Sequence, residues 1–267
     1  MAKKNRFYGK YYKFISDDGF TFAFITSHSN EGDMLQVITP SKGYFLDDLE
    51  SIKIENDKVT FNIHHEDLSI EGTLTLGKPH PLSKKVMGFF SYFPLECVHE
   101  IYSMHHTLEG TLAINGKKTS YTLGKARGYI EGDRGKNFPS KYIWYNSVTE
   151  DVTVTMAIAT IPILGFIRFT GLLCFITYQG KEYYLCTYNG GKVKSKSTSK
   201  IELKKGKYRF TLDISFIEGH PLKAPVKGDM VRYIKENINV PTSYTLTHKG
   251  QTIVRRQDEL SSLEYMY

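Results

Sequence analysis

Little in this sequence favours a disulfide-rich, zinc-binding or fibrous protein. Its 267 residues include only Cys97, Cys174 and Cys186, whose spacing forms no pair and predicts a reducing compartment. With 9 prolines and 22 glycines, the chain has too few of both for a fibrous or low-complexity protein. The net charge of +7 is a mild excess, and no nucleic-acid-binding pattern accompanies it, so we expect no nucleic-acid partner.

Signatures of cofactor chemistry are also missing. The sequence has no P-loop, no GxGxxG, no GxSxG and no HExxH, so we predict neither a nucleotide cofactor nor a bound metal, and no serine nucleophile. The adjacent His64 and His65 would project from opposite faces of a strand, which disfavours a shared ion.

The longest apolar run covers residues 157–177, AIATIPILGFIRFTGLLCFIT. A membrane helix is one interpretation of such a run. Pro162, Gly165, Arg168 and Gly171 interrupt it, and two buried strands joined near residues 162–165 explain it better. The N-terminus lacks the apolar segment of a secretory signal, so we expect a cytoplasmic protein.

What the sequence does contain is typical of an all-β protein. There are 19 Tyr and 16 Phe residues, and turn dipeptides such as Asp18-Gly19, Asn115-Gly116 and Lys249-Gly250 separate runs of alternating polarity. Roughly 15 to 18 strands are more than one open sheet holds. We therefore predict two lipocalin-like antiparallel barrels or half-barrels packed together, with little helix, and an apolar ligand cavity inside a barrel.

Domain boundaries are only weakly marked in the sequence. We place the N-terminal β-barrel domain at residues 1–124 and the C-terminal one at 125–267, although no Pro/Ser-rich linker separates them. The best candidate for a helix is residues 228–236.

The chemically most interesting segment surrounds residue 131. Tyr129, Glu131 and Asp133 are two residues apart, so in an extended chain they project from one face. Two close carboxylates cannot both ionise cheaply, and burial favours the protonated form of one further, which would make it a general acid. Alternatively, the acids are turn carboxylates bonded to backbone amides or to nearby cations. Those cations are Arg134, Lys136 and Lys141.

Two further features have alternative readings. Trp144, the only tryptophan, shares a strand face with Tyr142 and Asn146, and is either a core anchor or an aromatic face that stabilises a cation. Lys192, Lys194 and Lys196 alternate and would share one strand face. The lysine-rich segment 192–207 is either a protected edge strand or a site of peripheral contact with an anionic membrane surface.

Four blocks of this sequence resemble the tocopherol cyclase family and its small bacterial relatives. They are MGFFSYFPLECVHEIYSMHHTLEGTLAINGKK at 87–118, ARGYIEGDRGKNFPSKYIWYNS at 126–147, IPILGFIRFTGLLCFITYQGKEYYLCTYNGGKV at 161–193 and APVKGDMVRYIKE at 224–236. Their order and spacing are kept over roughly residues 85–238, which makes the resemblance specific.

The resemblance implies a lipocalin-like two-barrel fold that binds a long apolar substrate. It implies acid-catalysed cyclisation of a prenylated quinol or a similar apolar alkene, with capture of the cation by phenol or water and without a cofactor. Carried over to this chain, Glu131 is the proton donor, Asp133 tunes its pKa, and His99 or His106 assists the nucleophile. The residues expected to contact substrate are Tyr129, Trp144, Glu96, His106 and Asn146.

The chain departs from the family pattern at several of these places. Gly132 replaces a lysine, Arg134 a tryptophan, Glu100 a glycine and Asn146 a glutamine. A cation at position 134 would oppose the stabilisation of a carbocation. The sequence therefore leaves open whether catalysis is retained, and the alternative function is that of a non-catalytic, lipocalin-like carrier or sensor of a hydrophobic ligand. It also leaves the oligomeric state open.

Overall fold

The computed structural model describes residues 6–93, 95–163 and 167–267. It contains twenty strands and two short 3₁₀ helices, Gly88–Tyr92 and Thr187–Asn189, which confirms the predicted all-β class with little helix. The strands form two antiparallel sheets of ten strands each. Two compact units are present, the first comprising the described residues of Met1–Lys85, Glu96–Phe138 and Pro221–Tyr233. The second comprises Val86–Leu95, those described of Pro139–His220, and Ile234–Tyr267.

The first sheet is a meander whose first and last strands pair. Its strands are β1 (Phe7–Ile15), β2 (Thr21–Ser29), β3 (Gly32–Ile38), β4 (Gly43–Leu46), β5 (Ile52–Glu55), β6 (Lys58–His65), β7 (Leu68–Leu76), β8 (Cys97–Ile114), β9 (Lys117–Tyr121) and β10 (Arg127–Gly135). Their order is β4-β3-β2-β1-β10-β8-β7-β6-β5, with β9 paired to β8. Since the path runs from β4 to β5, these strands form an open sheet and not a closed barrel.

The second sheet repeats this plan. Its strands are β11 (Tyr142–Val148), β12 (Val152–Ile163), β13 (Ile167–Tyr178), β14 (Lys181–Tyr184), β15 (Lys192–Lys196), β16 (Lys200–Lys205), β17 (Tyr208–Ile214), β18 (His220–Val226), β19 (Asp229–His248) and β20 (Gln251–Met266). Their order is β14-β13-β12-β11-β20-β19-β17-β16-β15, with β18 paired to β19. The first strand again pairs with the last, although the sequence contains no convincing tandem repeat.

Aromatic rings fill the core of the first unit. Tyr12 stacks on Phe24 with ring centroids 4.5 Å apart, and Phe14, Phe22 and Phe61 contact the same group edge-on. Residues of even number from β1 and β2 supply four of these rings, as the two-residue period of a strand requires, and β6 supplies Phe61. The expected apolar cavity inside this sheet is therefore occupied by side chains.

The structure can be compared with the predictions for the apolar run and for the domain boundary. Residues of the 157–177 run form the paired strands β12 and β13, as predicted, whereas residues 164–166, which include part of the predicted junction, lie outside the described residues. Among the residues that the structure describes, no helix is long and apolar enough to cross a membrane. The predicted domain boundary precedes β10, but β10 pairs with β1 and β8, so the first unit continues to Phe138.

The helix expected at residues 228–236 is a strand. Lys227 and Gly228 both adopt positive φ and form the turn between β18 and β19. From this turn Met230, Ile234 and Glu236 are buried on β19 at even spacing. Pairing with β18 provides this segment with backbone partners that an isolated short helix would lack.

The lysine strand also differs from its expected geometry. β15 lies at the edge of its sheet, as the interpretation of this segment as a protected edge strand predicts. A bulge, however, lies between Val193 and Ser195. Lys192 pairs with Lys204, whereas Lys196 pairs with the buried Ile201. Because one inserted residue reverses the facing of a strand, Lys192 and Lys196 do not share a face.

Candidate functional site

Strand β10 presents Tyr129, Glu131 and Asp133 on one face, as their spacing predicts. The register against β1 is unbroken through this segment and places Lys13 opposite Tyr129 and Tyr11 opposite Glu131. Two irregularities in the pairing with β8 leave Asp133 opposite His99. Three strands thus contribute side chains to a single patch of sheet, because directly opposed residues in an antiparallel pair share a face.

This patch lies on the face opposite the aromatic core. Ile130, which alternates with Tyr129 and Glu131, packs into the core cluster of the first unit. Glu131 therefore points away from the interior of its own sheet, and not into the barrel interior where the sequence predicts an apolar cavity. Nevertheless Tyr129 is fully buried and Glu131 is 4% exposed, so the carboxyl is withdrawn from bulk water.

A hydrogen-bonded row runs through the site from Tyr129 to Asp133. The Tyr129 hydroxyl donates to Glu131 Oε2 at 2.5 Å. His99 Nε2 lies 3.5 Å from the same Glu131 oxygen, and its Nδ1 lies 3.1 Å from Asp133 Oδ1. The Cys97 thiol also donates to Asp133 Oδ1, at 3.4 Å. The two acids are thus bridged by an imidazole, an arrangement that their spacing in the sequence does not reveal.

The environment of His99 favours its charged form. Burial by itself lowers the pKa of this imidazole, but the carboxylates of Glu131 and Asp133 outweigh burial and raise the pKa from 6.5 to about 9. At neutral pH the ring therefore holds a proton between two carboxylates. Burial, together with the charge of Asp133, raises the pKa of the Cys97 thiol, so this group is neutral and donates its hydrogen.

The same three side chains could in principle share a cation instead of a proton. One donor atom each from His99, Glu131 and Asp133 lie within 4.8 Å of one another. A divalent ion would have to displace the proton of His99, because a protonated imidazole has no lone pair for a metal. The proton-bearing arrangement needs no such displacement and is therefore the one that this set of side chains favours.

Lys13 is a buried cation that the sequence analysis did not single out. It is fully buried on β1 and lies directly opposite Tyr129, on the face that carries Glu131. A lysine within a strand of aromatic residues is the signal that could have identified it, since lysine is almost never fully buried unless paired.

Three departures from the family pattern form one cluster on the other face. The guanidinium of Arg134 bonds to both carboxylate oxygens of Glu100, each at 3.3 Å, and the Tyr102 hydroxyl donates to Glu100 Oε2 at 3.1 Å. A Cβ at Gly132 would lie 2.8 Å from the Tyr102 ring, which explains why a longer side chain does not fit there. Arg134 is exposed and paired, and it alternates with Asp133, so its charge is directed away from Glu131.

His106 also lies away from the acid row. Its ring contacts Phe14 edge-on in the core, and Nδ1 pairs with Ser103 Oγ at 3.1 Å. Burial lowers the pKa of His106 to about 3, so this imidazole is neutral at physiological pH. A neutral, core-facing ring is a poor proton donor, which favours His99 over His106 in the predicted assisting role.

Gly128 makes room for that histidine ring. A Cβ built on Gly128 would lie 2.4 Å from His106 Nε2, and the ring is held by Phe14 and Ser103. We expect Gly128→Ala to lower the free energy of unfolding by about 1–3 kcal/mol, as overpacking of a core does. Gly9→Ala is the matched control, because its Cβ would meet only ordinary contacts at 3.9 Å. Urea denaturation measures both, and equal stability of the two variants would contradict the steric argument.

The remaining predicted contact residues are distributed over both units. Glu96 is exposed, and its backbone carbonyl accepts a hydrogen bond from the Lys136 amide at 2.7 Å. Trp144 and Asn146 are buried on β11 of the second unit, where Trp144 lies opposite Glu264 of β20.

A second buried pair of acids was missed by the sequence analysis. Glu264 lies opposite Glu236 of β19, and both are buried. The Tyr142 hydroxyl donates a short hydrogen bond to Glu264, as Tyr129 does to Glu131 in the first unit. Glu131 and Glu264 both lie on the last strand of their sheet, but the tyrosine that bonds Glu131 is on the same strand, whereas the one that bonds Glu264 is on the first strand, β11.

Comparisons with known proteins agree with this architecture. The model of a family described as tocopherol cyclase-like matches residues 9–265. Kievitone hydratase from Nectria haematococca has a similar structure, with a TM-score of 0.59 and 12% identity over 97% of this chain and 88% of that one. The protein CghA gives a TM-score of 0.63 and 9% identity, again over 97% and 88%.

A third solved structure extends the comparison. A Nitrosomonas europaea protein assigned as AttH gives a TM-score of 0.51 and 12% identity over 98% of this chain and 92% of that one. At these identities the likenesses establish a shared fold and no shared chemistry. The search of curated proteins found no match.

Proposed function

Because the chain belongs to the tocopherol cyclase-like family, we propose that it is a cyclase- or hydratase-type enzyme that protonates a carbon–carbon double bond of an apolar substrate. The observation that carries the proposal is the buried Glu131, which accepts a hydrogen bond from Tyr129 and lies beside a protonated His99. Buried acid groups with a specific charged partner are the usual arrangement of a general acid. The substrate class is a prenylated quinol or a similar apolar alkene.

The proposed reaction begins with a proton shift inside the site. His99 Nε2 passes its proton to Glu131 Oε2, and Glu131 delivers it to the less substituted alkene carbon, leaving a tertiary cation. A phenol oxygen of the same substrate, or water, bonds to that cation and loses its own proton. That proton returns to Glu131 and His99, so the enzyme is regenerated and no redox step occurs.

Asp133 has a positioning role in this scheme. Its carboxylate is bonded to His99 Nδ1 and so holds the ring in place while the proton moves from Nε2. The negative charge that remains near the substrate favours a developing carbocation. Arg134 does not oppose this effect, because its side chain lies on the other face of β10 and is exposed to solvent, which screens its charge.

The pH dependence of turnover follows from the same proton. The pKa of His99 is raised to about 9, so the proton-bearing form of the site is present below that pH and is lost above it. We expect the rate to fall as the pH rises through about 9, whereas a site governed by an ordinary histidine would lose activity near 6.5. A pH–rate profile of the purified protein measures this, and a descending limb near 6.5 would contradict the proposed proton source.

Copurifying lipid provides the direct test of the proposed function. Apolar compounds extracted from the native protein would be identified by mass spectrometry. Separately, the protein would be incubated in D2O with a panel of prenylated quinols, and the products would be analysed in the same way. An enzyme of the proposed type returns a product with one deuterium on the former alkene carbon. A ligand that is bound but returned without deuterium would support the carrier function and contradict catalysis.

A further inference from the structure

An exposed group of aromatic rings lies on the second unit. It consists of Phe89, Phe90, Tyr92 and Phe93 together with Phe169 of β13, and we call it the aromatic patch. Phe89, Tyr92 and Phe93 are 51%, 79% and 57% exposed. Phe89 contacts Phe90 at 4.5 Å between ring centroids, and Phe90 stacks on Phe169 at 6.0 Å. Contiguous exposed apolar surface of this kind is typical of an interaction site.

The aromatic patch is held on the unit by buried neighbours. Val86 and Met87, which precede it, are buried. Gly88 adopts a φ of +53° and lies so close to Tyr188 that a Cβ there would be 2.8 Å from the ring. The chain therefore turns sharply at Gly88, where it packs against the second 3₁₀ helix. The exposed rings follow directly after this packed position.

Lysines flank the segment on which the patch is seated. Tyr188 is four residues before Lys192, which begins β15 and lies opposite Lys204 of β16. Lys205 donates to the backbone carbonyl of Tyr184 at 2.7 Å, which joins β16 to the same segment. Arg168, the residue before Phe169, is exposed. Basic residues thus lie in the segments that adjoin Tyr188 and Phe169, on which the aromatic patch packs.

We propose that the aromatic patch and the adjoining lysines form a surface that docks on an anionic lipid bilayer. Rings of Phe and Tyr partition into the boundary between headgroups and acyl chains, and lysines near a negatively charged bilayer add electrostatic attraction. The two contributions together give the two signals that stable peripheral binding needs. A second copy of this chain fits less well, since a symmetric interface would bring like-charged lysines together.

Vesicle sedimentation of the full chain tests this surface. The probes are vesicles of phosphatidylcholine alone and vesicles that also contain phosphatidylglycerol, at low and high salt. One variant carries Phe89→Ser and Phe93→Ser, and its control carries Phe216→Ser and Ile217→Ser, which remove exposed apolar side chains elsewhere on the second unit. A second variant carries glutamine at Lys192, Lys204 and Lys207, and its control carries glutamine at Lys58, Lys118 and Lys125 of the first unit.

We expect salt-sensitive binding to the anionic vesicles. Loss of the two rings should weaken it by about tenfold or more, and loss of the three lysines should weaken it and flatten its salt dependence. Both controls should bind like the unmodified protein. Absence of binding, or equal binding by variants and controls, would overturn the proposal. A change in oligomeric state of the aromatic variant, measured by light scattering, without a change in vesicle binding would assign the surface to a second copy.

The docking proposal stands apart from the proposed chemistry. Glu131→Gln should bind vesicles normally, because the acid row of β10 contributes nothing to the aromatic patch. Failure of vesicle binding would leave the deuterium experiment unaffected, and failure of catalysis would leave the vesicle experiment unaffected.

Discussion

Glu131→Gln is expected to lower turnover of the alkene substrate by about 10²–10⁴-fold, the range for loss of a general acid. Glutamine has nearly the shape of glutamate and can still accept the hydrogen bond from Tyr129, but it cannot deliver a proton. Initial rates of product formation, followed by chromatography and mass spectrometry on the compound identified from the native protein, measure the effect. A deuterium-labelled product from a prenylated quinol serves equally well.

Glu100→Gln is the matched control for this substitution. Glu100 is also a carboxylate in the strand pair β8–β10, but it bonds to Arg134 and Tyr102 on the opposite face. As a partly exposed side chain outside the acid row, it should change the rate by no more than about twofold. An unchanged rate in Glu131→Gln, with folding verified by circular dichroism, would remove Glu131 from the mechanism.

His99→Gln is expected to remove the part of the free energy of unfolding that depends on the protonation of His99. The pKa of His99 is raised in the folded protein to about 9, against 6.5 as its ordinary value. A group whose pKa rises on folding contributes fully below the unfolded value, and its contribution disappears as the pH rises through the folded value. The free energy of unfolding should therefore decline between pH 6.5 and about 9, by at most about 1.4 kcal/mol per pH unit and about 3 kcal/mol in all.

Urea denaturation at a series of pH values across this range measures the decline. The variant should be less stable than the unmodified protein at low pH, since Glu131 and Asp133 lose the cation between them, and its curve should be flatter. His28→Gln is a suitable control, because His28 pairs with Asp33 at an exposed site where salt bridges contribute little. A variant whose stability retains the full slope would show that another group carries the titration.

The structure explains the departures from the family pattern at positions 132 and 134, which the sequence alone did not explain. Read along the chain, Gly132 and Arg134 flank Asp133 and suggest an altered acid site. In the folded protein their side chains belong to the other face of β10, where Arg134 pairs with Glu100 and the Tyr102 ring occupies the space above Gly132. Alternation within a strand separates neighbours in sequence, so these changes leave the row of Tyr129, Glu131 and Asp133 intact.

The sequence by itself determined the strand content, most of the turns and the shared face of Tyr129, Glu131 and Asp133. These features are local: a turn depends on one or two residues such as Asn115 and Gly116, both with positive φ, and the facing of a side chain depends on a two-residue period. Such local features can therefore be predicted without knowledge of the fold. The predictions from local patterns were wrong at β19 and at the β15 bulge, where pairing with a neighbouring strand sets the conformation.

Only the tertiary structure decided what surrounds the acids. His99 reaches both carboxylates because β8 pairs with β10 through two irregularities in register, and Lys13 shares their face because β1 pairs with β10 on its other side. Residues more than thirty apart, such as His99 and Asp133, come together in this way at 3.1 Å. Strand pairing over such separations depends on the burial of the whole sheet, which no short segment encodes.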